Sequence, residues 1–232
     1  MTEKECYLCG KKASETPQGT LTRDHLPPKN LFLEPRPSNL ITVPCCFACN
    51  NGFHDDDESF RAAVSLNYNA NPIGKQIWKE KVVGSTIRKR RIRESIAHIR
   101  SSLKRIALIT PEGVKEAYEA RFERAPVDRV LTRMTKGFLA KWYAEIDRSE
   151  LTFQITHLDQ FKVNDPVFNA ILRHLSYFQR GDGVYRCWHD IEEYSLRGFW
   201  IHMFFDSAAY VVKNTSERRI VLPAARTIHP SA

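Results

Sequence analysis

Two cysteine pairs near the start of the chain constrain its fold more than any other sequence feature. Cys6 and Cys9 enclose two residues, and so do Cys46 and Cys49. Each C-x2-C pair can supply two thiolates from one tight turn, and two such turns make the closed tetrahedral site of a structural Zn²⁺ ion. Gly10, directly after the first pair, suits a sharp turn around a metal. The spacing therefore predicts a zinc clamp in the first quarter of the chain.

The other two cysteines are not interpreted as members of a C-x2-C pair. Cys45 competes with Cys46 for the third ligand position, although the two-residue spacing favours Cys46. Cys187 stands alone and is predicted to be a small buried hydrophobe. The N-terminus lacks the apolar stretch of a secretory signal, and no apolar run approaches the roughly 20 residues of a membrane-spanning helix. We therefore expect a cytoplasmic chain with no membrane partner, whose thiols stay reduced.

The composition is that of a globular protein, and its basic residues are concentrated in one stretch. The 232 residues are 42% hydrophobic and 27% charged, which excludes collagen-like and wholly disordered classes. The formal charge is +8, yet residues 75–105 alone carry eleven Lys or Arg against two Glu. Such a patch is typical of nucleic-acid binding, with a solvated helix face as the plain alternative. The predicted nucleic-acid contacts are Arg88, Lys89, Arg90, Arg91 and Arg93.

The N-terminal residues predict a small unit of strands and one helix. Short β-type runs at 20–22 and 40–43 predict a hairpin, and prolines interrupt the loops around it. The acidic run at 55–58 is interpreted as the first turn of a helix from about 56 to 66, rather than as a metal site. A unit this small buries little core, so we expect the metal to contribute much of its folding energy.

Residues 69–74 predict a boundary, which divides the chain into units 1–70 and 71–232. Apolar residues at helical spacing predict helices over 78–109 and 127–146. Strands are expected from residue 152 onwards, at 152–158, 183–191, 198–205 and 209–214, with a turn at 206–209. His157, His189 and His202 share no ligand spacing and are interpreted as ordinary half-buried histidines. The fold class predicted is α+β.

One group of polar residues has the composition of a hydrolytic site. A single-metal phosphodiesterase needs a neutral imidazole to accept a proton from water and hard oxygen ligands for a divalent ion. Asp24 and His25 are adjacent at the end of a predicted strand, so their side chains diverge. Asn50 directly follows a zinc cysteine, and its amide oxygen is a second ligand suited to Mg²⁺.

These residues resemble the HNH endonuclease family in its four-cysteine zinc form. The resemblance rests on CYLC, RDHLPP, NLITVPC and CFACNNG, in that order, over the first quarter of the chain. It implies a ββα-metal fold, in which a β-hairpin and a helix grip one catalytic divalent ion, Mg²⁺ or Mn²⁺, at the backbone of double-stranded DNA. The later residues resemble, loosely, the second part of uncharacterised bacterial HNH proteins, which implies no activity.

The resemblance also implies a role for each matching residue. His25 corresponds to the general base, Asp24 to the carboxylate metal ligand, and Asn39 to the asparagine that braces the loop of the histidine. Asn50 takes the place of the second metal ligand, where the family often has histidine. The basic residue usually found a few positions later is absent, so His54 is an extra ligand, a phosphate contact or a plain exposed residue.

Two hypotheses from different classes follow. In the first, the chain is a metal-dependent endonuclease. In the second, it is a zinc-clamped DNA-binding module without catalytic activity. The intact pair Asp24–His25 favours the first, because a zinc clamp needs neither residue. The sequence leaves open the target, the choice between DNA and RNA, the biological role and the oligomeric state.

Overall fold

The computed structural model describes residues 3–67, 69–84, 97, 99–110, 113–119, 122–143, 151–158, 166–192 and 197–216. Helices and antiparallel sheets both occur in these ranges, which confirms the predicted α+β class. Among the residues described, no helix combines the length and apolarity needed to span a lipid bilayer.

The chain begins with the predicted hairpin, displaced towards the C-terminus. Strand β1 (Thr22–Leu26) pairs antiparallel with β2 (Ile41–Cys45), with Asp24 opposite Val43. Both strands end later than the predictions 20–22 and 40–43. The alternation of burial along β1 explains the shift, because Asp24 and Leu26 are buried while the residue between them is only partly covered. The Asp-His pair therefore lies on the strand, with its two side chains on opposite faces.

Three helices follow the hairpin. They are α1 (Phe47–Gly52), α2 (His54–Ser65) and α3 (Pro72–Ile77), and a π-helical turn over Trp78–Val83 continues the last. Helix α2 confirms the prediction for 56–66 to within two residues. Helix α1 was not predicted, because its six residues are too few to show a periodic apolar pattern.

The predicted helix over 78–109 is wrong in its last part. Residues 104–110 form strand β3 (Lys104–Thr110), which pairs antiparallel with β4 (Gly113–Glu119). The apolar residues of 99–109 fit a helical period, but isoleucine and threonine also favour a strand. Leu103, which precedes this strand, is 43% exposed instead of packing inward, whereas Ile99 of the same predicted stripe is buried. Residues 85–96 and 98 lie outside the described part of the chain.

The C-terminal part contains a five-stranded antiparallel sheet in the order β5-β9-β8-β7-β6. Its strands are β5 (Leu151–Leu158), β6 (Ser176–Arg180), β7 (Tyr185–Ile191), β8 (Gly198–Phe204) and β9 (Ala208–Ser216). Four of them confirm predictions, whereas β6 was not predicted. The turn between β8 and β9 falls earlier than 206–209, because Phe205 and Asp206 adopt positive φ angles of 50° and 58°.

Helix α4 (Arg124–Trp142) confirms the helix expected over 127–146, whose last residues lie outside the described part. A short helix α5 (Pro166–Leu172) was not predicted. The predicted apolar stripe of α4 packs on the sheet, where the ring of Phe138 stacks on those of Trp200 and Tyr185 at centroid distances of 5.9 and 6.2 Å. Cys187 is buried as predicted, and His202 is fully buried rather than half-buried.

Helix α4 also packs on the N-terminal hairpin, so it lies between β1 and the sheet. A Cβ atom at Gly137 would stand 2.4 Å from a methyl carbon of Leu26, which shows how closely the helix and the strand approach. The ring of Phe60 on α2 meets that of Phe204 on β8 at 5.0 Å. One apolar core therefore includes residues on both sides of residue 70. The division into 1–70 and 71–232 stays a prediction.

Candidate metal centre and functional site

Four thiols from two turns meet at the open end of the hairpin. The Sγ atoms of Cys6, Cys9, Cys46 and Cys49 all lie within 4.8 Å of one another, and Cys9 and Cys46 are 3.8 Å apart. A tetrahedral Zn²⁺ with bonds of about 2.3 Å separates its sulfurs by about 3.8 Å. These cysteines are close enough to hold a metal ion, and the donor set is compatible with structural zinc.

Backbone hydrogen bonds shape both turns around the thiols. The Gly10 N–H donates to the Cys6 carbonyl at 2.8 Å, and Gly10 has a φ of +73°, which a side chain would disfavour. In the second turn Cys46 is the N-cap of α1, and its Sγ accepts from the Cys49 N–H at 3.5 Å. Burial opposes ionisation of Cys6, but backbone hydrogen bonds, led by that of Cys46, outweigh it and lower its pKa to about 7.

The position of Cys45 explains why it is not part of the four-thiol cluster. Cys45 is the last residue of β2, fully buried, and its Sγ lies 3.9 Å from that of Cys6. Burial raises the pKa of the Cys45 thiol, and the neighbouring Cys6 raises it further. Because Cys46 and not Cys45 belongs to the group of four sulfurs that lie within 4.8 Å of one another, the geometry favours Cys46 as the third ligand.

Asp24 lies on the inner face of β1 and is engaged by two side chains. It is 5% exposed. The Tyr7 hydroxyl donates to its Oδ2 at 2.6 Å, and the Arg133 Nε lies 3.8 Å from the same oxygen. Tyr7 belongs to the first cysteine turn and Arg133 to α4. The carboxylate is therefore held between the first cysteine turn and helix α4.

His25 occupies the opposite face of β1 and is half-buried. Burial lowers the pKa of its imidazole below the ordinary value, and the positive charge of Lys29 lowers it further. The ring is consequently neutral at pH 7, which is the form that can accept a proton.

Asn50 is held against β1 on the same side as Asp24. Its Nδ2 donates to the Thr22 Oγ1 at 2.9 Å, and the Thr22 hydroxyl in turn donates to the Cys45 carbonyl at 2.7 Å. Thr22 and Asp24 are two residues apart on one strand and so share a face. The structure thus brings Asn50 and Asp24 to one side of the hairpin, and Asn50 uses its NH₂ group there, leaving its amide oxygen as the donor for a cation.

The remaining predicted residues are not gathered at this place. Asn39 is exposed in the turn before β2, and His54 is exposed at the first position of α2. The predicted nucleic-acid contacts lie outside the described residues, and they are Arg88, Lys89, Arg90, Arg91 and Arg93.

A buried ion-pair cluster beside Asp24 was missed at the sequence level. The Arg133 Nη2 bonds to the Asp57 Oδ1 at 2.6 Å, and its guanidinium lies 4.7 Å from the centroid of the Phe53 ring. Burial raises the pKa of Asp57 to about 7, which outweighs the effect of Arg133. The indication in the sequence was Arg133 itself, which falls within the apolar stripe of α4 between Val130 and Met134.

The acidic run at the start of α2 also makes tertiary contacts. Asp55, Asp56 and Asp57 lie in the first turn, as predicted for a helix start. In addition, the Asp56 carboxylate binds the Arg129 guanidinium through two hydrogen bonds of 2.7 Å. The run therefore fastens α2 to α4 as well as suiting the helix dipole.

Comparisons with family models, with curated proteins and with solved structures find no match for this chain.

Proposed function

We propose that this protein is a metal-dependent endonuclease of the HNH type, with a ββα-metal arrangement formed by β1, β2 and the helices that follow. The observation that carries the proposal is the contact of Asn50 with Thr22. It joins the residue after the last clamp cysteine to the strand that bears Asp24 and His25, across 28 positions of the chain. A purely structural zinc clamp requires neither this contact nor those side chains.

The proposed chemistry assigns each step to a residue of the chain. The neutral His25 imidazole accepts a proton from a water molecule, whose oxygen attacks phosphorus and forms the new P–O bond. The bond to the leaving oxygen breaks, and solvent water protonates that oxygen. Asp24 and Asn50 would hold Mg²⁺ or Mn²⁺, which stabilises negative charge on the phosphate and the leaving oxygen. Asn39 braces the loop, and His54 is a candidate phosphate contact.

Double-stranded DNA is the proposed substrate. The basic stretch 75–105 supplies positive charge for the phosphate backbone, and its described members include Lys75, Lys79 and Lys81.

The second candidate function is a zinc-clamped DNA-binding module without catalysis. The burial of Asp24 against Tyr7 and Arg133 favours it, because a guanidinium 3.8 Å away opposes the binding of a divalent cation at the same carboxylate. In such a binding module, the Asp24 carboxylate stabilises the packing of the hairpin against α4, and His25 has no chemical role.

A plasmid-nicking assay separates the two functions. Supercoiled plasmid is incubated with wild type, His25→Ala and the control His174→Ala, which changes an exposed histidine far along the chain. Each protein is tested with Mg²⁺, with Mn²⁺ and without added divalent ion, and no chelator is used because it would also attack the cysteine site. We expect metal-dependent nicking by wild type and His174→Ala, and at least a 100-fold loss in His25→Ala.

Folding controls accompany the assay. The zinc content and the circular dichroism of His25→Ala should equal those of wild type. Equal nicking by all three proteins would exclude His25 as the base, whereas a gel shift without nicking would favour the binding module.

A further inference from the structure

A cleft of about 320 Å³ lies between the first cysteine turn, the α1–α2 junction, helix α4 and strand β5. Leu8, Phe53, Phe153 and Ile155 form apolar parts of its wall. The volume is at the lower end of small-molecule sites, which suits a single ring system and its substituents rather than a larger ligand. Two phenylalanine rings in one small cleft suit a flat ligand.

Helix α4 contributes three cations to the same cleft. Arg129, Arg133 and Lys136 are four and three residues apart and therefore share one helix face. The first two are paired with carboxylates of α2. Lys136 makes no ion pair within the described part of the chain, and its ammonium lies 5.5 Å from the centroid of the Phe153 ring. An anionic group in the cleft would therefore meet an uncompensated positive charge at Lys136.

Arg133 adds a buried positive charge to the wall of the cleft. Its side chain is 1% exposed, yet its Nε and Nη1 atoms have no hydrogen-bond partner within the described residues. Buried guanidinium donors are normally satisfied. Because Arg133 lines the cleft, its buried positive charge lies close to any anion bound there.

The cleft also holds an acceptor for amino groups. The Asp128 carboxylate is 40% exposed and lines the cleft, and one of its oxygens lies 3.0 Å from the His157 Nε2. A ligand with exocyclic N–H donors can therefore be bound at Asp128, on the same helix as the cations.

We infer that the cleft binds one nucleotide of a nucleic-acid strand, with the base against Phe53 and Phe153 and the phosphate at Lys136. A nucleotide combines a flat ring, N–H donors and a phosphate, which are the three features that the walls, Asp128 and the cations recognise. The inference rests on the proposed function for its substrate class, and a base of double-stranded DNA would have to leave the duplex stack to enter the cleft. Since Arg133 touches both the cleft and Asp24, the bound nucleotide would lie beside the proposed cleavage site.

The test is fluorescence anisotropy with a fluorescein-labelled 12-nucleotide single-stranded DNA and an RNA of the same sequence. The buffer contains neither magnesium nor chelator, so the strand is not cut and the cysteine site is undisturbed. We expect Lys136→Ala to weaken binding about tenfold and to reduce the salt slope by about one. Phe153→Leu should weaken binding by a similar factor, because it removes the aromatic face but keeps an apolar side chain.

The matched control is Lys141→Ala, which removes the same charge from an exposed position of the same helix. Its affinity should equal that of wild type. Equal weakening by Lys136→Ala and Lys141→Ala, unchanged binding by Lys136→Ala, or no binding by wild type would each overturn the inference. Unaltered melting temperatures check that the variants fold.

The two proposals fail in different ways. Nicking by wild type together with unchanged oligonucleotide binding by Lys136→Ala would overturn the cleft alone. Selective loss of binding in Lys136→Ala without any nicking by wild type would support the cleft and count against the nuclease. Preference for the DNA or the RNA strand would identify the sugar that the cleft accepts.

Discussion

Arg133 on α4 is a buried cation paired with carboxylates of α2 and β1. Its guanidinium is almost completely buried between Asp57 on α2 and Asp24 on β1, and it stands over the ring of Phe53. Removal of one partner from a buried ion pair is costly, because the charges left behind lack both water and a counter-ion. The residue therefore connects the stability of the molecule with the position of Asp24.

We predict that Arg133→Met lowers the free energy of unfolding by about 3–5 kcal/mol, since it leaves the carboxylates of Asp24 and Asp57 without their counter-ion. Urea unfolding followed by circular dichroism measures this quantity. The matched control is Arg129→Met, which breaks the analogous pair with Asp56, where the arginine is 54% exposed. It should cost less than about 1 kcal/mol. Equal losses in the two variants would contradict the assigned role of burial.

His202 predicts a dependence of stability on pH. Its Nε2 lies 3.1 Å from the Thr135 Oγ1 and its Nδ1 lies 2.8 Å from the Tyr185 hydroxyl. Burial, followed by the nearby His189, lowers the pKa of His202 to about 3 in the folded protein. The unfolded chain therefore binds an additional proton between about pH 6.5 and pH 3, and the stability falls as the pH falls through this window.

The expected contribution is a slope of about 1.4 kcal/mol per pH unit between pH 4 and pH 6. His202→Gln, which keeps hydrogen-bonding capacity, should remove this slope from urea unfolding curves measured at several pH values. The control His174→Gln changes an exposed ring and should leave the slope as it is in wild type. A slope that persists in His202→Gln would show that other groups cause the acid sensitivity.

At the scale of elements, the cysteine cluster joins the first turn, the end of β2 and the start of α1. Cys46→Ser removes a ligand and should abolish stoichiometric zinc binding, with a fall in melting temperature of at least about 10 °C. Cys45→Ser changes a buried thiol outside the cluster and should keep one zinc per chain at a cost of about 1–3 kcal/mol. Mass spectrometry of metal content and thermal unfolding measure both effects.

The opposite result, zinc retained in Cys46→Ser and lost in Cys45→Ser, would assign the third ligand to Cys45. The two variants also show whether the fold depends on the metal, because only Cys46→Ser is expected to lose it.

The elements differ in how far the sequence predicts them. The C-x2-C spacing is a local feature of the sequence. It correctly predicted that four cysteines, from two turns far apart in the chain, lie close together. The apolar residues over 99–109 fit both a helical and a strand period. Local sequence information therefore did not decide between a helix and strand β3. The partners of Asp24 come from the first cysteine turn and from α4, and no local pattern relates Tyr7 to Arg133. The sequence therefore predicted the four-cysteine cluster better than the surroundings of Asp24.

At the scale of the whole molecule, α4 connects the hairpin to the five-stranded sheet. Its Gly137 packs against Leu26 and its Phe138 against the aromatic rings of the sheet. Its Arg133 forms an ion pair with Asp24. The geometry of the candidate site thus depends on residues throughout the chain, which explains why the first quarter of the sequence predicts its chemistry but not its accessibility.

The proposed nuclease requires that Asp24 on β1 and Asn50 on α1 hold a divalent ion. Titration of the zinc-loaded protein with Mn²⁺, followed by electron paramagnetic resonance of the free ion, tests it most directly. We predict one bound Mn²⁺ per chain in wild type and its loss in Asp24→Asn. The control Asp55→Asn, at the acidic start of α2, should keep the bound ion. Wild type that binds no Mn²⁺, or Asp24→Asn that binds it as wild type does, would contradict the claim.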